Sequence, residues 1–177
     1  HEAGMVHRDV KPANIFSCHC AVRFDFVKVL DFGLVKHRST RGDTHLTLAG
    51  TLTGTPAFIA PEAATHADAV DGRADLYSLG CVAYWLATGL PVFEGDSAVS
   101  VVLQHLQAEP IRPSKRGELP VPAEFEEVIL ACLEKDPANR PATALELADR
   151  LNAIGFEREW DQARARQWWE THLPSLL

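Results

Sequence analysis

The sequence predicts a mainly α fold with one small β-hairpin, on three observations. Three stretches in the second half repeat apolar residues at i, i+3, i+4 and i+7: Val99, Val102, Leu103 and Leu106; then Phe125, Val128, Ile129, Cys132 and Leu133; then Ala144, Leu147, Ala148, Leu151 and Ile154. That period lays each set along one helical face, and core packing accounts for all three. The apolar run 76–86 is opened by Asp75, a residue type that caps helix N-termini. Strand-like runs, by contrast, are confined to Ile15-Phe16-Ser17 and to residues 26–30, joined by a connector over residues 18–25.

Each element can be justified in order. The strands carry β-branched and aromatic residues, and their ends bring Asn14 and Asp31 close together. The connector contains Cys18-His19-Cys20, but no second ligand pair at structural-zinc spacing follows, so it reads as a variable hairpin loop rather than a metal site. Residues 34–60 are rich in threonine and other polar residues and read as a surface loop. The run 76–93 has the length of a membrane span, yet Ser78, Gly80, Thr88, Gly89 and Pro91 interrupt it and acidic residues flank it; a buried core helix is expected. Thr143 with Glu146 forms a capping box that starts the last periodic helix.

Bulk composition excludes several classes. A chain of 177 residues, 46% hydrophobic and 23% charged, can build one domain with a real core. A net charge of −7 and a pI near 5.6 argue against nucleic acid as a partner, which leaves a basic footprint. The four cysteines show no paired framework, and Cys81 and Cys132 sit inside apolar helical patterns, so reduced thiols and a cytoplasmic location are expected. No charged-then-apolar signal segment is visible. His1-Glu2-Ala3-Gly4 reads as the last turn of a helix closed by glycine, from which the chain is expected to be a fragment.

The densest chemistry lies in His7-Arg8-Asp9-Val10-Lys11-Pro12-Ala13-Asn14. These eight residues combine an imidazole, two cations, a candidate base (Asp9) and a metal-capable amide (Asn14) around a stiffening proline. Singly, each is an ordinary loop side chain. With Asp31-Phe32-Gly33 downstream, they match a catalytic loop and a metal-binding loop. The chain thus resembles the C-terminal lobe of a Hanks-type, bacterial-like Ser/Thr protein kinase.

The resemblance implies a C-lobe over residues 1–155, its small hairpin at the catalytic cleft and its N-lobe absent, followed by a Trp-rich helical tail over 156–177 that docks on the lobe. It implies transfer of the γ-phosphate of ATP to serine or threonine of a protein substrate, with ATP and Mg²⁺ as cofactors. Asp9 would orient the hydroxyl and accept its proton, Lys11 would steady the γ-phosphate, and Asn14 and Asp31 would hold Mg²⁺. His7 would support the metal-loop backbone. Residues 34–60 would be the activation segment, with Thr47 or Thr51 phosphorylated and paired with Arg8, since a phosphate's charge suits arginine. Residues 54–62 resemble the substrate-docking loop, in which Thr55 would bond Asp9 and Lys11; Lys11 itself favours Ser/Thr over Tyr specificity. Asp75 would hold the catalytic-loop backbone, and Arg140 would pair with Glu62.

One departure stands out: no glycine-rich phosphate loop, no strand lysine and no partner helix glutamate occur in these residues. The missing N-lobe is required for nucleotide clamping, so this chain alone is expected to lack kinase activity. Two rival readings are a pseudokinase-type scaffold, disfavoured by the intact Asp9, Lys11, Asn14 and Asp31, and an aminoglycoside-type phosphotransferase, disfavoured by the motif over 54–62.

Overall fold

The computed structural model describes residues 1, 5–31, 55–65, 70–156 and 160–174. A hairpin of β1 (Ile15–Cys20) and β2 (Arg23–Val29) is followed by α1 (Pro61–Thr65), α2 (Gly72–Thr88), α3 (Ala98–Gln107), α4 (Ala123–Cys132), α5 (Ala144–Asn152) and α6 (Gln162–His172). Short 3₁₀ turns at Pro12–Asn14, Pro56–Phe58, Pro113–Lys115 and Pro137–Asn139 each begin on a proline. Proline suits that place because the first N–H of a turn has no partner and φ is already set.

The hairpin is longer than its sequence suggests. β1 and β2 pair antiparallel from Ile15↔Val29 to Cys20↔Arg23, so most of the expected loop is strand. The turn closes over Ala21 and Val22, with Ala21 in the left-handed region at φ 53°. Glycine or asparagine normally announces such a turn, and alanine conceals it.

The core is built around α2. Tyr77, Cys81 and Tyr84 are buried with Val92, Phe93, Ile129 and Leu133, and a smaller cluster joins Leu76, Cys132 and Leu147. Gly80 lets α2 and α4 approach closely, for a Cβ there would lie 2.6 Å from the Cys132 Cβ. The run 76–93 thus holds a largely buried helix, with Trp85 and Leu86 exposed, that stops at Gly89, at φ 73°, with its N–H on the Trp85 carbonyl at 2.8 Å. No described helix is long and apolar enough to cross a membrane. The start of α2 corrects the expectation: Asp71, not Asp75, is the N-cap, accepting from the Arg73 N–H at 2.9 Å. The polar first turn disguised the helix start, which frees the Asp75 carboxylate for another task.

α3 is a second correction. Val99 and Leu103, placed on its core face by periodicity, are exposed, whereas His105 is fully buried. The His105 ring bonds the Tyr77 hydroxyl through Nδ1 at 2.9 Å and meets Phe93 edge-on at 4.9 Å. A buried histidine reads as polar in any hydropathy pattern; one tyrosine hydroxyl makes it tolerable. Burial pushes its pKa down to about 4, helped by the charge of Lys135. In α5, Thr143 accepts from the Glu146 N–H at 3.1 Å, while Glu146 reaches back to the Ala142 N–H at 2.8 Å, one residue before the usual capping-box target.

Candidate active site

The site is founded on Asp75, in the first turn of α2. Its carboxylate accepts from the backbone N–H of His7 at 2.7 Å and of Arg8 at 2.8 Å, and the His1 ring lies against it at 2.8 Å. Two successive N–H groups can converge on one carboxylate only if the chain turns sharply between them. Arg8 supplies the turn with φ 64°, a conformation that costs on the order of 1–3 kcal/mol and persists only where the surroundings hold it. Charge-assisted bonds to a buried carboxylate are strong enough to do so. Burial pushes the Asp75 pKa up, and the two backbone bonds pull it back in part.

His7, itself buried, links this stretch to the far strand of the hairpin. Its Nδ1 accepts from the Asp9 N–H at 3.3 Å and its Nε2 meets the Leu30 carbonyl at 3.0 Å. A backbone N–H can only donate and a carbonyl can only accept, so the two contacts together require the tautomer with hydrogen on Nε2. The ring therefore ties Asp9 to the residue preceding Asp31.

The Asp9 side chain is held from two sides: Lys11 Nζ lies 2.9 Å from Oδ2, and Asn14 Nδ2 donates to the same oxygen at 3.0 Å. Asn14, buried at the start of the hairpin, also donates from Nδ2 to the Asp9 backbone carbonyl at 2.8 Å. Both amide hydrogens are thereby committed to Asp9, which leaves Oδ1 as its remaining oxygen ligand. The Leu30 N–H donates to the Asn14 carbonyl at 2.8 Å and extends the ladder, so Asn14 and Asp31 stand at neighbouring ends of β1 and β2. Asp31 adopts φ 58° and is exposed. An amide oxygen beside a carboxylate is a hard-oxygen set that fits Mg²⁺, which prefers a few protein ligands and shared phosphate oxygens.

Below this, Glu62 of α1 and Arg140 form a bidentate pair at 2.7 and 2.8 Å. The guanidinium also donates to the carbonyls of Glu134 at 2.7 Å, Arg73 at 3.0 Å and Lys135 at 3.1 Å, and lies 4.8 Å from the centre of the Tyr77 ring. All five of its donors have acceptors, so the pair fastens α1 to both α2 and the turn before α5. The turn Pro56–Phe58 is fixed separately, by the Ser78 hydroxyl donating to the Phe58 carbonyl at 2.7 Å.

Of the residues marked out by the sequence, His7, Arg8, Asp9, Lys11, Asn14, Asp31 and Asp75 are thus brought together, and Glu62 with Arg140 supports them from beneath. Thr55 is not brought in: it is exposed, and its hydroxyl has no partner among the described residues. Lys11 and Asn14 both meet the Asp9 Oδ2 instead. Arg8 is exposed, while Thr47, Thr51, Phe32 and Gly33 lie outside the described residues. Sequence reasoning missed Asp25, which receives the indole N–H groups of Trp160 and Trp169 at 2.7 and 2.8 Å. Its one signal was the tryptophan density of the tail, which names no partner.

Comparison with known proteins agrees with this geometry. The family model for the protein kinase domain matches residues 1–151. The chain is 43% identical over 160 residues to the serine/threonine-protein kinase pkn3 of Myxococcus xanthus, covering 89% of this chain and 29% of that protein. It is 44% identical over 147 residues to the serine/threonine-protein kinase PknB of Mycobacterium leprae, and 42% identical over 147 residues to PknB of Mycolicibacterium smegmatis, covering 83% of this chain and 22% of each relative. The chain therefore spans less than a third of the length of these relatives. A polar stretch seated on a helix carboxylate, a paired amide and aspartate at one hairpin end, and a family match over most of its residues lead to one conclusion: the chain belongs to the protein kinase domain family.

Proposed function

We propose that this chain is the catalytic, C-terminal lobe of a Ser/Thr protein kinase that moves the γ-phosphoryl group of ATP to a serine or threonine hydroxyl of a protein. The observation that carries the reading is the Asp9 carboxylate, held by Lys11 and Asn14 beside the hairpin end where Asn14 meets Asp31. One oxygen of Asp9 is occupied by these two neighbours, and the carboxylate as a whole is positioned to orient a hydroxyl and take its proton. Lys11, partly exposed beside it, supplies positive charge for the phosphoryl group in transit. Asn14 and Asp31 are the residues that would hold Mg²⁺, which supplies counter-charge to the phosphates when bound. Phosphoryl transfer asks the protein chiefly for positioning and electrostatics, and this is a sufficient set for the lower half of such a site.

The nucleotide is gripped from the other side by a segment outside this chain. Phe16, Phe26, Val27 and Val29 are each more than two-fifths exposed on the hairpin and offer it an apolar surface. Thr47 and Thr51 are the proposed phosphorylation sites of the activation segment, with Arg8 as their cationic partner. Residues 156–177 form a tail distinct from the lobe, a division supported by the end of the family match at residue 151.

The test is phosphate transfer from labelled ATP to a protein substrate by the full-length gene product. Asp9→Asn is expected to lower kcat by about 10²- to 10⁴-fold, the usual contribution of a positioned base. Residues 1–177 alone are expected to transfer none. Asp9→Asn with undiminished transfer overturns the assignment of the base, and transfer by residues 1–177 overturns the requirement for a further lobe.

A further inference from the structure

The family match stops before α6, yet Trp160 and α6 make polar side-chain contacts on the hairpin. The ladder explains how. Cys18 pairs with Phe26 and Cys20 with Arg23, so His19 stands opposite two residues, Phe24 and Asp25, with Asp25 at φ 54°. This is a β-bulge, which re-aims the side chain of its extra residue. The Asp25 carboxylate accepts from Trp160 Nε1 on Oδ2 at 2.7 Å, and on Oδ1 from Trp169 Nε1 at 2.8 Å and the Ser17 hydroxyl at 3.1 Å.

The adjoining residue completes the clasp. Gln162 accepts from the Phe24 N–H at 2.9 Å and donates to the Phe24 carbonyl at 3.1 Å, so a side-chain amide takes the place of a neighbouring strand. Trp169 is 5% exposed, although it belongs to a helix of largely polar sequence; it packs beside the stacked rings of His19 and Phe24. Burial opposes ionisation of Asp25, but its three hydrogen bonds outweigh that and hold the carboxyl below its ordinary range.

We propose that residues 160–172 are a positioning strap: by clasping Asp25 at the turn end of the hairpin, the tail sets the attitude of the opposite end, where Asn14 and Asp31 stand together. The inference rests on the reading of Asn14 and Asp31 as cation ligands. Its physical basis is that a two-stranded hairpin is marginally stable by itself. Its base is tied down through the His7 contact with Leu30 and the Leu30 contact with Asn14, while its faces are largely exposed. A second tie at the far end removes the freedom to tilt. Small tilts matter, because displacement of a reacting group by about 1 Å can cost 10²-fold in rate. Asp25 is accordingly a positioning residue and touches no reacting atom.

The test uses the full-length gene product with Trp160 and Trp169 both changed to Phe, which keeps the rings and removes the two N–H donors, and separately Asp25→Asn. Amide hydrogen exchange over residues 15–29 and over α2 is read alongside Mn²⁺ binding, by electron paramagnetic resonance with a non-hydrolysable ATP analogue present. Both variants are expected to exchange faster in the hairpin but not in α2, and to bind Mn²⁺ about tenfold more weakly, the lower end of what outer partners of a metal site contribute. Unchanged hairpin exchange overturns the strap. Faster exchange with unchanged Mn²⁺ affinity overturns its positioning role. A wild-type protein that binds no Mn²⁺ overturns the cation reading beneath the proposal, and hairpin exchange then still decides whether the tail holds the hairpin.

Discussion

Replacing Arg140 by alanine is the sharpest test of what holds the lobe together. The Arg140 side chain has no exposed surface, and Glu62 retains 15%. Its removal leaves the Glu62 carboxylate without its bidentate partner and three carbonyls, of Glu134, Arg73 and Lys135, without a donor. Breaking a buried pair from one side costs about 3–5 kcal/mol, at least a fifth of a typical domain's stability of about 5–15 kcal/mol. On a domain of this size that lowers the unfolding midpoint by about 6–20 °C, read by scanning calorimetry of the kinase domain transition. Arg140→Lys keeps the charge but loses the fork, and should fall between wild type and alanine. The decisive comparison is Arg140→Met combined with Glu62→Leu, which removes both charges at similar volume and is expected to recover the share of the loss due to the orphaned carboxylate, while the three carbonyls stay without a donor. If Arg140→Ala shifts stability by less than about 1 kcal/mol, or if the apolar double variant is as unstable as the alanine, the cost does not come from an orphaned buried charge and the reasoning is wrong.

Two further outcomes follow from the core. His105, with its pKa pushed down to about 4 by burial, contributes stability that is complete above its unfolded value of 6.5 and is lost as the pH falls from 6.5 toward 4. That loss is about 3 kcal/mol, so urea unfolding across this range should show a distinctly smaller pH slope in His105→Gln than in wild type. Gly80→Ala would drive a methyl group to 2.6 Å from the Cys132 Cβ and should cost about 1–3 kcal/mol by chemical denaturation, with recovery when Cys132 is also reduced to glycine.

Much of the fold was legible because hydrophobic period is a local property. The buried faces of α4 and α5, the helix within 76–93 and the Thr143 cap of α5 appear in the structure, since each depends on residues within a few turns of one another. The failures share a cause. α3 turns Leu103 outward and His105 inward, where a tyrosine hydroxyl 28 residues earlier in the chain bonds Nδ1 of the ring, and no local pattern carries that information. The hairpin was underestimated because Ala21 and Asp25 accept left-handed conformations that only their surroundings justify.

The candidate site divides the same way. By itself the sequence determined which groups are present: two aspartates, a lysine and an amide in a spacing that the kinase pattern makes specific. Tertiary structure alone decided how they are held. It placed the Asp75 carboxylate under the N–H groups of His7 and Arg8, assigned the His7 tautomer through Leu30, and brought two indoles from the tail onto Asp25. The physical reason is that residue type sets what a side chain can donate or accept, whereas the partner that completes a buried polar group is supplied by distant parts of the chain.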